Sequence, residues 1–158
     1  MPPFFRSRPA IIGLVILVVG MGAVGFLPLF GGPGYESAIA GGLIVPFVVA
    51  IVTALEVSPT MVEPFDAFCR GIANGGALAA AAYLTTLLHG LRVGFCDFPG
   101  GSAQFALGPG VGALLAGAWG ALAGELAATR SLLREQVGSG KSKDLVDQAI
   151  AELPKRLH

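Results

Sequence analysis

Four stretches of this chain carry no Asp, Glu, Lys or Arg: Pro9 to Tyr35, Ser37 to Leu55, Gly71 to Leu91 and Phe98 to Gly124. Each is long enough to cross the hydrocarbon of a bilayer, which takes about 20 apolar residues at roughly 1.5 Å rise per residue. Four such runs in 158 residues leave little polar chain to face water. Only 13% of the residues are charged, against about a quarter in an ordinary soluble domain. The pattern predicts an all-α integral membrane protein with four transmembrane helices in two hairpins, at about residues 9–30, 35–55, 65–91 and 108–128. These make a membrane domain over residues 1–128, followed by a cytoplasmic helical tail over 129–158 that ends in an amphipathic helix. The 24 glycines fit that solvent. They would weaken helices in water, but in lipid they let helix backbones approach closely.

The first apolar run follows Arg6 and Arg8 and could pass for a cleaved signal segment. It continues well past an ordinary signal core, to Phe30, so a retained first helix is expected. Of the ten basic residues, all but Arg92 fall before helix 1, between helices 2 and 3, or after helix 4. Basic residues gather on the cytoplasmic side. Both termini are therefore expected in the cytoplasm, in a membrane of the bacterial inner-membrane type. Cys69 and Cys96 then lie on opposite sides and cannot pair within one chain.

Proline and glycine punctuate the helices. Pro46 cannot donate to the carbonyl of Gly42, so a kink in helix 2 is expected. Pro64 suits the first turn of helix 3, where a missing N–H costs nothing. Asp66 and Arg70 are spaced to pair. The fourth run exceeds one crossing, and Gly100, Gly101, Gly108, Pro109 and Gly110 crowd its first half. Helix 4 is therefore expected near Gly108, with Phe98 to Leu107 an apolar loop at the outer interface. Gly32-Pro33-Gly34 and Gly108-Pro109-Gly110 each precede a similar small-residue run. The echo fits either a repeat of hairpins or turn chemistry used twice.

Beyond Glu125, helix 4 is expected to run into the cytoplasm through Gln136 before a break at Gly138-Ser139-Gly140. Leu145, Val146, Ala149, Ile150 and Leu153 then share one face of a short helix. Three turns are marginal alone, so this helix should dock, and its mixed charges favour a protein partner over a lipid surface. Gly138 to Ser142 resembles the end of a phosphate loop, but the pattern needs Gly where Glu135 stands and a strand before it. A linker is the better account.

Two constellations stand out within the runs. Gly71, Gly75 and Ala79 form one small-residue ridge; Ala116, Gly120 and Gly124 form another. Such ridges bring helices to contact, within a bundle or between chains. Trp119 falls mid-helix among these small residues and is expected to fill the space they leave or to key into a partner. Thr85, Thr86 and His89 lie a turn apart and, with Glu36 and Asp97, could line a polar path at the outer mouth. A single imidazole and no diagnostic spacing argue against a metal. Asn74 is read as a packing hydrogen bond. Phe26, Phe30, Tyr35, Phe95, Phe98 and Phe105 would make one aromatic belt, and Phe4, Phe5, Phe65 and Phe68 the other.

No catalytic set, cofactor motif or basic nucleic-acid surface is present in the sequence. Small multidrug exporters carry an embedded acid in their first helix, and thiol-oxidising four-helix enzymes carry cysteine pairs; this chain has neither. The expectation is a non-enzymatic membrane subunit. It meets lipid and associates with itself or other membrane proteins through Gly/Ala faces and the tail helix. The alternative is a small oligomeric transporter or channel with a polar path along helix 3.

Overall fold

The computed structural model describes residues 7–27, 30, 32–58, 63–94 and 97–138, and among these it is helical with no strand. Helix α1 is Arg8–Gly25, α2 Tyr35–Val57, α3 Pro64–Val93, α4 Phe98–Phe105 and α5 Val111–Gly138. A π-helical turn, Ala106–Gly110, joins α4 to α5 without a break. Four helices are long and apolar enough to span a membrane, the fourth being α4, the π turn and α5 together.

Local chemistry sets the helix starts. Ser7 caps α1 by accepting from the Ala10 N–H at 3.2 Å. At α2, Ser37 Oγ accepts from Gly34 N–H and donates to Gly34 O, both at 2.9 Å. Pro64 opens α3 as its sequence position predicts. That helix stops at Gly94, whose φ of +96° a side chain would disfavour. Asp97 caps α4 by accepting from Gly100 N–H at 3.1 Å.

The helices alternate in direction. Gly13 of α1 abuts Val52 near the far end of α2, while Met21 reaches Gly41 near its start. Gly71 and Gly75 of α3 oppose Gly117 and Ala113 of α5, again antiparallel. Gly41, Pro46 and Ala50 of α2 lie beside Pro109, Gly112 and Gly120, so α2 and α5 run parallel. The bundle places α1 against α2 and α3, and α5 against the same two. Its core joins Leu17, Met21, Val45, Val49, Leu78 and Phe105, with a smaller cluster of Val57, Ala67 and Ala121.

Many of the largest apolar side chains face outward. Leu43 is 77% exposed, and Phe47 and Trp119 are 68% exposed. Glycine, alanine and valine dominate the contacts between helices.

Several sequence expectations shift. The segment Phe98 to Leu107 is helix and π turn, not loop, so the fourth helix begins at Phe98 and not near Gly108. The physical reason lies at Pro109. It has no N–H for the Phe105 carbonyl, and its ring would clash there in an α-turn. Widening to a π turn, with Val111 N–H reaching Ala106 O, carries the helix past it. α1 ends at Gly25, short of residue 30, as Phe26 and Leu27 turn back to Ala23 and Val24 carbonyls. α2 is one continuous helix with Pro46 inside it, the position at which a kink is expected. Phe105 leaves the aromatic belt for the core, 3% exposed, with its ring 5.2 Å from that of Tyr83. Asp66 and Arg70 are both exposed, with no ion pair between them. The tail residues Leu145, Val146, Ala149, Ile150 and Leu153, the Gly138 to Ser142 linker beyond Gly138, and Cys96 lie outside the described residues; Cys69 is free and exposed.

Candidate functional site

The small-residue ridges sit where helices touch. A Cβ at Gly71 would lie 2.3 Å from Gly117 O, and one at Gly117 would lie 2.0 Å from Gly71 O. At Gly75 it would stand 2.4 Å from Ala113 O. Real Cβ atoms do not approach backbone oxygen so closely, so only glycine fits these crossings. Ala79 continues the ridge into the core. On the neighbouring face of α5, a Cβ at Gly120 would meet Ala50 O at 2.5 Å, and one at Gly124 would meet Ala54 O at 2.8 Å. Ala116 lies half-buried against the core between them. These ridges are occupied within the chain itself, α5 presenting one to α2 and one to α3.

Of the two roles expected for Trp119, the filling of an internal gap is overturned, since the side chain is 68% exposed and points away from the bundle. At 100° per residue, Gly117 and Gly120 take the directions of α3 and α2, which leaves Trp119 on the opposite side of α5.

The residues of the expected polar path separate. Thr85 and Thr86 donate to Ala81 O and Ala82 O at 2.9 and 3.0 Å, within their own helix. His89 packs on Gly25, and its ring meets Phe26 edge-on at 5.0 Å. Arg92 covers the same Phe26 ring, 4.6 Å from its centroid. Asp97 is used as the α4 cap, and Glu36 is exposed at the first turn of α2. No hydrogen bond or ion pair joins Glu36, His89 and Asp97 among the described residues. Among the described residues the two threonines bond within their own helix, Asp97 serves as a cap, His89 meets an aromatic face and Glu36 is exposed.

At the opposite end, a network that the sequence reading did not assemble ties three helices together. Glu56 of α2 accepts from Ser7 Oγ at the start of α1 through Oε1 and from Asn74 Nδ2 of α3 through Oε2. Asn74 Nδ2 also lies 3.5 Å from Thr53 Oγ1. Asn74 and Thr53 are buried and Glu56 half-buried. A carboxylate accepting two donors ties α1 and α3 to the end of α2. Glu56 continues the inward series Gly41, Val45, Val49 and Val52. That register was the available signal, but α2 is apolar on every side and no face stands out in its sequence. Nearby on α5, Glu125 Oε1 is buried with no hydrogen-bond partner among the described residues.

Among the described residues no group of three or more His, Cys, Asp or Glu could hold a metal. Comparison of the chain with protein-family models, with curated proteins and with solved structures gives no match.

Proposed function

We propose that the chain is a four-span integral membrane protein acting as a non-enzymatic subunit of a membrane assembly, with lipid and other membrane protein, itself included, as its partners. The inverted distribution of side chains carries the reading. From Tyr35 to Leu55, α2 exposes Ile39, Leu43, Phe47 and Ile51 along about 30 Å of helix. That length matches the hydrocarbon thickness of a bilayer. In water, each such side chain left exposed forfeits about 1.5–3 kcal/mol of burial; in lipid it forfeits nothing. The basic residues orient the bundle, with the Ser7 end and the far end of α5 on the cytoplasmic side of a bacterial-type inner membrane.

The subunit reading rests on α5. Its Gly/Ala ridges are occupied inside the bundle, so association falls to the opposite face and to the tail. None of residues 126–134 is buried, so this length of helix enters no core formed by the described residues. Helices so short are marginal alone in water, which favours a partner there.

Two measurements test the proposal. Resistance to carbonate extraction, with a reporter fused after residue 138 active only in the cytoplasm, is expected. Release by carbonate, or an outward-facing reporter, overturns the membrane placement. Native mass measurement after gentle detergent extraction should show an assembly; a lone monomer counts against the subunit role.

A further inference from the structure

The outward face of α5 carries a regular seam. Leu115, Trp119, Leu122, Leu126, Thr129 and Leu133 follow at spacings of four, three, four, three and four, and all are exposed. That is the a/d alternation of a left-handed coiled coil, in which each side chain enters a hole on a facing helix. At 100° per residue these positions stay within about 40° of one line, directly opposite the ridges used by α2 and α3. The seam starts in the membrane-spanning part and continues past Glu125 onto turns of which no residue up to 134 is buried.

We infer that this seam binds the same seam on a second copy of the chain, forming a parallel α5–α5 pair. The inference rests on the membrane reading, because copies inserted with one orientation meet only in parallel. Two features select a second copy over another occupant. The spacing is self-complementary about a twofold axis along the membrane normal, so each seam residue meets its own equivalent. Glu125 and Arg130 flank the seam on opposite sides, five residues apart, at the g and e positions that pair between parallel strands. Arg130 of the second copy pairs with Glu125 across the seam, and the twofold axis repeats the pair.

Beyond the bilayer, Leu133, 56% exposed in the single chain, leaves water on pairing. Inside it, Trp119 gains van der Waals contact with its equivalent, the force that joins helices where lipid offers no hydrophobic drive.

Disulfide trapping in native membranes tests the seam. With Cys69 and Cys96 replaced by Ser, single cysteines are introduced as Leu126→Cys, Leu133→Cys and Ala127→Cys. Leu126 and Ala127 share a depth but not a face, so random collision would trap both equally. Expected is severalfold faster dimer trapping at 126 and 133 than at 127. Glu125→Arg in the Leu133→Cys background should slow trapping up to about fivefold, and adding Arg130→Glu should restore it. Equal trapping at 126 and 127 overturns the seam. So does absence of trapped dimer in a chain that resists carbonate extraction, which leaves the membrane reading standing. A chain that carbonate releases overturns both.

Discussion

Gly117 and Trp119 lie two residues apart on α5 and meet opposite surroundings. Gly117 touches the backbone of α3, where a Cβ would stand 2.0 Å from Gly71 O. Trp119, the largest side chain of all, touches open surface. In a soluble bundle the assignment would run the other way, because burying the indole removes the most apolar area from water. Here close backbone approach holds the bundle, and bulk is placed on the outer surface. The interior selects for the absence of side chains, and the exterior selects for their presence.

The strongest way to break this contrast is to put bulk on the inner face. Gly117→Leu should destabilise the bundle by about 3 kcal/mol or more, since its obstacle is backbone that cannot turn aside. Denaturant titration of helicity in mixed micelles reads the loss. Gly20→Leu is the matched control: nothing lies within 4 Å of a Cβ there, and stability should hold. If the two substitutions behave alike, the close crossing of α3 and α5 is wrong.

Pro109→Ala asks whether the inner face needs its irregular turn. The substitution removes a ring that packs on Gly41, for a loss of about 2 kcal/mol. It also returns an N–H worth about 1 kcal/mol. A net loss of about 1 kcal/mol is expected in the same titration. A stabilised variant would show that the π turn is only a proline accommodation.

Asn74→Ala removes the donor that ties α3 to Glu56. Such interhelical bonds contribute about 0.6–2 kcal/mol, so a drop near 1 kcal/mol is expected, together with faster amide exchange at the first turn of α1. His89→Ala, at the opposite end, should leave that exchange untouched. Equal effects from both would remove the distinction between a network that joins helices and contacts that stay local.

The smallest effect belongs to the outer face. Trp119→Ala should change the unfolding free energy of the monomeric bundle by less than about 0.5 kcal/mol, while lowering pair formation. A large loss in the monomer would mean that the indole is buried after all.

Much of the fold is legible along the chain because the absence of charge over some twenty residues is a one-dimensional signal. The four apolar helices, the role of Pro64 and the small-residue ridges follow from residue type and spacing. The site is less legible. Glu56 stands at the end of an apolar run and reads as a boundary residue until α1 and α3 bring Ser7 and Asn74 to it. Thr85, Thr86 and His89 share a helix face, but proximity in a helix does not say whether neighbours answer one another or their own backbone.

The two Gly-Pro-Gly segments mark the division. By itself the sequence determined where helices able to cross a bilayer lie, because hydropathy and length act locally. It also determined that the helices could pack closely, because glycine is small wherever it stands. Tertiary structure alone decided that Gly32-Pro33-Gly34 precedes a helix while Gly108-Pro109-Gly110 lies inside one. In the second segment Pro109 is buried against Gly41 and beside Phe105, while Gly108 stays exposed. That packing favours continuing the helix through a π turn over breaking it, a balance no local preference contains.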